Sequence, residues 1–171
     1  MNKSKKLYLA IVFLLIFGSS AFADSNLGSR LVRSARAELG NGETTSNNCG
    51  VAIKRYLNGR ENLAWCAGFI SYILQQNNVK DIAYCLSAKT IFNRAKAQGL
   101  IVSTPRPGDL ICFWRGKRNG WQGHIGIVES VSKAAITAIE GNAGAYPSKV
   151  KRVTYKRNNI PRLLGFVRVE E

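Results

Sequence analysis

The chain has 171 residues, of which 46% are hydrophobic, and its 25 basic and 10 acidic residues give a net charge of +15. This length suffices for one domain with a hydrophobic core, and the sequence contains no internal repeat and no second domain. A protein this basic is attracted to polyanions. Its basic residues are scattered, apart from a group of five at positions 149, 151, 152, 156 and 157. They lack the interleaved aromatic residues of a single-strand platform, so we expect no specific nucleic-acid partner.

The first 23 residues predict a secretory signal peptide. Lysines at positions 3, 5 and 6 precede an apolar run from Leu7 to Phe17, and small residues follow up to Ala23. A run of 11 residues is shorter than the roughly 20 needed to span a bilayer, which argues against a membrane anchor. We expect cleavage after Ala23, a secreted or periplasmic location, one domain over residues 24–171, and no membrane contact after cleavage.

Apolar residues at helical spacing predict four helices in the first hundred residues. They cover approximately residues 27–39, 51–57, 66–76 and 88–98, with Asp24 or Ser25 capping the first helix and Ser87 the last. The polar loop at residues 41–50 lacks the acidic spacing of a calcium loop, so we expect no metal there.

Cys66 lies at the amino end of the third predicted helix, one turn before its apolar stripe begins at Phe69. The positive end of the helix dipole favours the thiolate form of such a cysteine. The dipole is worth about 0.3–1 kcal/mol, less than the roughly 1.4 kcal/mol of a tenfold change in ionisation. An ionised Cys66 therefore needs a cationic partner, and His124 is the one histidine of the chain.

Beyond Gly99 the pattern changes to that of short strands. We predict strands over residues 110–114, 124–131, 135–139, 150–155 and 164–169, with a basic, glycine-rich loop at 115–123. Helices followed by antiparallel strands predict an α+β domain, in which N-terminal helices pack on a C-terminal antiparallel sheet.

The hairpin that follows His124 predicts a partner for its ring. If the hairpin is centred on Ser132, His124 lies directly opposite Glu140, with their Cβ atoms about 4.5–5.5 Å apart. Asn142, two residues further, lies on the same face if the strand continues. Either side chain is then placed to orient the imidazole, provided that the register holds, because a slip of one residue turns Glu140 away.

These residues together support a nucleophilic mechanism. His124 takes the thiol proton of Cys66, Glu140 or Asn142 fixes the ring, and the thiolate attacks an amide carbonyl. Backbone N–H groups at the helix start hold the oxyanion. Taken singly, such a cysteine or histidine is more often structural, Glu140 is compatible with a solvated strand end, and Asn142 with a turn. The joint spacing carries the hypothesis.

The remaining cysteines leave the disulfide question open. Four cysteines in an exported chain favour two bridges, which would consume Cys66. If Cys66 is the nucleophile it stays free. Cys112, inside an apolar strand, is then expected to be an inert core thiol, and Cys49 and Cys85, in loop-like segments, are candidates for a bridge.

Four motifs, taken in chain order, resemble those of one family. They are Trp-Cys-Ala-Gly-Phe at 65–69, Pro-Gly-Asp-Leu at 107–110, Gly-His-Ile-Gly-Ile-Val at 123–128 and Ile-Glu-Gly-Asn at 139–142. This pattern resembles the CHAP family, cysteine, histidine-dependent amidohydrolases/peptidases of the NlpC-like, papain-like superfamily. The resemblance extends over residues 27–169.

The resemblance implies a papain-like fold and hydrolysis of amide bonds in bacterial peptidoglycan. The bond lies within the stem or cross-bridge peptides, or between N-acetylmuramic acid and L-alanine. By motif, Cys66 is the nucleophile, His124 the base, Glu140 the orienting residue and Asn142 an auxiliary polar group. The aspartates with which some members bind calcium are missing before Cys66, so no metal or other cofactor is expected.

Two tryptophans are assigned to substrate binding, although either is also explained as a core or surface aromatic residue. They are Trp65, beside Cys66, and Trp121, in the loop before His124. The expected partners are peptidoglycan and anionic envelope polymers, with the protein acting as a monomer. The alternative is a non-catalytic cell-wall or polyanion binding module in which a disulfide locks Cys66.

Overall fold

The computed structural model of the protein describes residues 26–170, and the predicted signal peptide lies outside this range. In the described residues, helices precede an antiparallel sheet, which confirms the predicted α+β class. The helices are Leu27–Ala37 (α1), Val51–Tyr56 (α2), Cys66–Gln76 (α3) and Ala88–Ala97 (α4). The strands are Ile101–Val102 (β1), Leu110–Trp114 (β2), Gly123–Val131 (β3), Ala135–Ala143 (β4), Lys149–Lys156 (β5) and Leu163–Val167 (β6). They form one sheet in the order β1-β6-β2-β3-β4-β5.

Within residues 26–170, no helix is both long and apolar enough to cross a bilayer.

The residue that caps the start of α4 is the predicted one, whereas the residue that caps the start of α1 is not. Ser87 caps α4 as predicted, since its hydroxyl accepts the backbone N–H of Thr90 at 3.2 Å. At α1 the cap is Asn26, whose side chain accepts the N–H of Gly28 at 2.8 Å. The two predicted candidates for that cap precede the described residues.

Helix α3 forms the centre of the main hydrophobic core. Its apolar stripe is at most 1% exposed and consists of Phe69, Ile70, Ile73 and Leu74. Burial of each such side chain contributes about 1.5–3 kcal/mol. Gly68 allows close packing on α2, because a Cβ at this position would lie 2.8 Å from the carbonyl oxygen of Tyr56. The start of the helix that carries Cys66 is thereby fixed.

The sheet buries apolar side chains on both faces and curls strongly. One face packs under the helices, and the other encloses a smaller cluster of Ile111, Phe113, Val128, Ile136, Ala138 and Phe166. The ring centroids of Phe113 in β2 and Tyr155 in β5 are 5.2 Å apart, although β3 and β4 lie between these strands. Three strand spacings in a flat sheet amount to about 14 Å. The sheet therefore curves around its second face.

The register of the β3–β4 hairpin differs from the prediction. Glu140 lies opposite Gly126, not opposite His124. The turn is centred between Lys133 and Ala134 because the N–H of Ser132 donates to the carbonyl of Ala135, and this alone would turn Glu140 to the other face. A β-bulge between Val128 and Ser130 then shifts the register back by one residue. The net displacement of two residues returns Glu140 to the face of His124.

Candidate active site

Cys66 is the first residue of α3 and has an unobstructed helix start in front of it. The residue before it, Trp65, makes no side-chain hydrogen bond to the helix end. The first backbone N–H groups of α3 thus remain available to a ligand. Cys66 is 7% exposed, in a free thiol form, and lines a cleft of about 220 Å³.

His124 joins the β-sheet to this helix start through a chain of side-chain hydrogen bonds. Its Nε2 donates to Oε2 of Glu140 at 2.8 Å, and the hydroxyl of Tyr155 donates to Oε1 of the same carboxylate at 2.6 Å. The Cys66 side chain also interacts with the imidazole, since it is one of the groups that raise the pKa of His124. Because Nε2 is occupied by Glu140, Nδ1 is the ring nitrogen that faces the thiol.

The environment of His124 favours the imidazolium form. Burial by itself lowers the pKa of His124, but the hydrogen bonds to Cys66 and Glu140 and the negative charges of both groups outweigh it. The result is a pKa raised to about 9. The arrangement therefore favours the imidazolium form of His124 near neutral pH.

Gly126 explains how Glu140 reaches His124 from a diagonal position. A Cβ at Gly126 would lie 2.6 Å from Cγ of Glu140 and 3.0 Å from the carbonyl oxygen of Ile139. The Glu140 side chain lies across the space that a larger residue would fill. The second glycine of the Gly-His-Ile-Gly-Ile-Val motif thus has a steric role in the site.

Comparison with known proteins agrees with this geometry. Residues 58–142 match the family model described as CHAP domain, a segment that contains Cys66, His124 and Glu140. Residues 58–142 form a CHAP domain. No curated protein sequence matches the chain.

Solved structures support the CHAP fold. The crystal structure of Ly7917 is similar at 18% sequence identity and a TM-score of 0.52, with 82% of this chain and 61% of that chain covered. A structure of Ly7917 with the hydrolyzing product of MDP gives 16% identity and a TM-score of 0.51, with 82% and 62% covered. The chain thus spans about three fifths of the length of the structures it matches.

The hydrogen-bond partner of Asn142 in the described structure is Asn48. Its Nδ2 donates to Oδ1 of Asn48 at 3.4 Å, and its backbone is left-handed with a φ of 55°. The strand register is interrupted between Glu140 and Ala143, so the simple alternation that placed Asn142 beside His124 no longer holds. The structure brings Glu140 to the ring and directs Asn142 to the loop at residues 41–50.

The two tryptophans assigned to substrate binding lie in different environments. Trp121 is 81% exposed and lines the cleft that contains Cys66. Trp65 is fully buried, its indole N–H donates to Oε1 of Glu43 at 3.2 Å, and it packs against Gly141. Its assignment to the groove is corrected: Trp65 packs beneath the site because Glu43 satisfies its only polar group.

Glu43 is a residue whose role the sequence did not indicate. This fully buried carboxylate accepts the N–H of Asn48 at 3.0 Å and of Ser148 at 2.7 Å, in addition to the Trp65 indole. It connects the loop before α2, the start of α3 and the start of β5. It therefore fixes the backbone beside Cys66.

Tyr155 is a second residue that the sequence analysis missed. Burial and the charge and hydrogen bond of Glu140 raise the pKa of Tyr155 well above its ordinary value, so it stays a hydrogen-bond donor. Tyr155 pairs with Ile136 in the ladder, four residues away from Glu140. No local pattern joins Tyr155 to the site, because only the curl of the sheet brings it there.

All four cysteines in the described residues are free. The predicted candidates for a bridge have other partners: the Cys49 thiol donates to Oδ1 of Asn62 at 3.1 Å, and Cys85 contacts Ser87. Cys112 is fully buried, and burial followed by the charge of Cys66 raises its pKa, which fits an inert core thiol. In residues 26–170, no three His, Cys, Asp or Glu side chains are grouped to hold a metal ion.

Proposed function

We propose that the protein is an exported cysteine hydrolase that cleaves amide bonds in bacterial peptidoglycan. The observation that carries this proposal is that His124, hydrogen-bonded to the buried Glu140 carboxylate, interacts with the Cys66 side chain at the head of α3. In this arrangement, Cys66 is the nucleophile, His124 the base and Glu140 the residue that orients the ring. Tyr155 holds the second oxygen of Glu140.

The reaction follows from the same arrangement. Nδ1 of His124 takes the thiol proton, and the Cys66 thiolate adds to the amide carbonyl to give a tetrahedral oxyanion. The N–H groups at the start of α3, with that of Cys66 first, stabilise the oxyanion. When the C–N bond breaks, His124 returns its proton to the leaving amine. His124 then removes a proton from water, which attacks the thioester and frees the acid and Cys66.

The substrate class is inferred from the family and from the neighbouring structure. A CHAP domain is an amidohydrolase or peptidase domain, and the related structure of Ly7917 contains the hydrolyzing product of MDP. By analogy, the bond cleaved is an amide of the stem or cross-bridge peptides, or the link between N-acetylmuramic acid and L-alanine. Fragment analysis distinguishes these bonds.

The surface charge supports attraction to anionic envelope polymers as part of this function. Five acidic residues are buried against hydrogen-bond donors or arginines: Glu38, Glu43, Asp109, Glu129 and Glu140. These carboxylates are compensated by groups of the fold itself, and the remaining excess of basic residues gives the chain its net positive charge. We propose that the protein acts outside the cytoplasm as a monomer, and that its charge brings it to the wall.

Replacement of the nucleophile tests the proposed reaction. Cys66→Ala is expected to lower fragment release from purified peptidoglycan by at least about a thousandfold while leaving wall binding intact, because only the bond-forming atom is lost. Cys49→Ala removes a thiol away from His124 and is the matched control. Mass spectrometry of the fragments identifies the bond: a new amino terminus on a peptide residue indicates an endopeptidase, and free intact stem peptides indicate an amidase.

Two results would contradict the proposal. One is release of fragments by Cys66→Ala at the rate of the unmodified protein. The other is the absence of any fragment from peptidoglycan treated with the folded, reduced protein.

A further inference from the structure

Two clefts flank the catalytic pair and share one side chain, that of Arg115. The cleft that contains Cys66 and Trp121 has Arg115 on its wall. A second cleft, of about 170 Å³, contains His124 and Tyr155 and has the same arginine on its wall. Arg115 is therefore common to the cleft that contains Cys66 and the cleft that contains His124.

The backbone of Arg115 is held in this place. Arg115 follows the last residue of β2, and its N–H donates to the carbonyl of Gln122 at 3.1 Å. The side chain of Gln122 folds over this loop, because a Cβ at Gly116 would lie 2.3 Å from its Oε1. The exposed Arg115 side chain thus projects from a fixed strand end.

Apart from the nucleophile Cys66, the charged groups that line the two clefts are positive. Their charged lining side chains are Arg115, Arg162 and the imidazolium of His124, and no carboxylate lines either cleft. Within residues 26–170, Arg115 forms no ion pair, whereas Arg36 and Arg152 share Glu129. Arg162 lies over the ring of Trp114 at 5.4 Å. Arg115 is therefore the arginine of the two clefts that lacks a partner in the described structure.

The guanidinium also lies close enough to the hydrogen-bonded chain for its charge to act there. Burial and Glu140 raise the pKa of Tyr155, and the positive charge of Arg115 opposes them. An arginine fork presents paired N–H donors that match the two oxygens of a carboxylate.

We propose that Arg115 binds a free carboxylate of the substrate next to the amide that is cleaved. This rests on the proposed function and narrows its substrate class to peptidoglycan peptides that bear an unamidated carboxylate beside the scissile bond. Arg115 acts in binding and orientation, and it takes no part in proton transfer.

The experiment compares two substrates that differ only in charge. One is purified peptidoglycan with unamidated stem peptides, and the other is the same material after its carboxylates are converted to carboxamides with carbodiimide and ammonia. We expect amidation to lower the apparent kcat/KM of the unmodified protein by about tenfold, through loss of a charge-assisted bidentate contact.

The arginine variants then assign this preference to one side chain. Arg115→Gln is expected to lower kcat/KM on the unamidated substrate by about tenfold, mostly by raising KM. On the amidated substrate its kcat/KM should change little. Arg115→Lys keeps the charge and is expected to retain part of the preference. Arg118→Gln, in the same loop but on a different cleft, is the matched control and is expected to keep the full preference.

The remaining outcomes contradict the inference in distinguishable ways. The inference fails and the proposed function stands if the unmodified protein cleaves both substrates equally. The same holds if Arg115→Gln still prefers the unamidated substrate, or if its kcat/KM falls by the same factor on both substrates. If the unmodified protein cleaves neither substrate, the proposed function and the inference fail together.

Discussion

At the residue scale, the site depends on how His124 is held between a thiol and a carboxylate. Both partners favour the protonated ring, and the Glu140 side chain is 2% exposed, where its charge is weakly screened. The same carboxylate fixes which ring nitrogen faces Cys66. The Glu140 carboxylate therefore both orients the His124 ring and favours its protonated form.

Removal of the Glu140 charge should move the pH profile of hydrolysis. The active form contains the imidazolium, so activity falls on the alkaline side as the ring loses its proton near the pKa of about 9. Glu140→Gln removes a negative charge that favours the imidazolium and thus lowers the pKa of His124. We expect the alkaline limb of kcat/KM to move to lower pH by about 1–3 units.

Tyr155→Phe serves as the comparison for this variant. It removes one hydrogen bond to the carboxylate but leaves the Glu140 charge in place, so its alkaline limb should stay near that of the unmodified protein. An unchanged limb in Glu140→Gln would mean that another group sets the pKa of His124.

At the element scale, the site depends on a hairpin whose register is set by a turn and a bulge together. The turn alone would leave Glu140 on the wrong face, and the bulge at Glu129 returns it. The bulge residue is itself secured, because its buried carboxylate accepts hydrogen bonds from Arg36 of α1 and Arg152 of β5. The hydrogen bonds of Arg152 and then Arg36 lower the pKa of Glu129, which keeps this link ionised.

A methyl group added at Gly126 should disturb the hairpin where Glu140 crosses it. Gly126→Ala places a Cβ at 2.6 Å from Cγ of Glu140, so either the side chain or the strand must shift. We expect a loss of about 1–3 kcal/mol in the free energy of unfolding, as for other overpacked sites. Hydrolysis should fall at least about tenfold, because the carboxylate leaves His124.

A double-mutant cycle separates this clash from a general effect on the strand. In a Glu140→Ala background the contact with Cγ is absent, so the cost of Gly126→Ala should shrink to about half or less. An equal cost in both backgrounds would assign the destabilisation to the Ile139 carbonyl alone.

At the scale of the whole molecule, charge and burial are connected. The chain has more than twice as many basic as acidic residues, and the fold buries several of the acidic ones in contacts with its own arginines and N–H groups. The long-range field of the surface is therefore positive, although no single basic cluster dominates the sequence.

Salt should weaken binding of the protein to the wall. With Cys66→Ala, which binds without cleavage, the fraction bound to insoluble wall material should fall about tenfold as the Debye length drops from about 10 Å near 0.1 M salt toward about 3 Å at 1 M. Wall material stripped of its phosphate-bearing polymers is the control and should bind less at low salt. Binding that does not change with salt would show that uncharged contacts dominate.

The sequence by itself determined the fold class, the helix headed by Cys66 and the strand that carries His124. These follow from periodicity and caps, which are local and survive small errors in element boundaries. The face shared by His124 and Glu140 was also predicted, although by a register that the structure corrects by two residues.

Only the tertiary structure decided the contacts that depend on distant segments. The curl of the sheet brings Tyr155 to Glu140, and the buried Glu43 binds the indole N–H of Trp65 in the core. Arg115 lines two clefts because the fold places them side by side. Bulges, sheet curvature and buried polar partners result from packing between segments that are far apart in the chain, and such packing leaves no periodic signal in the sequence around any one residue.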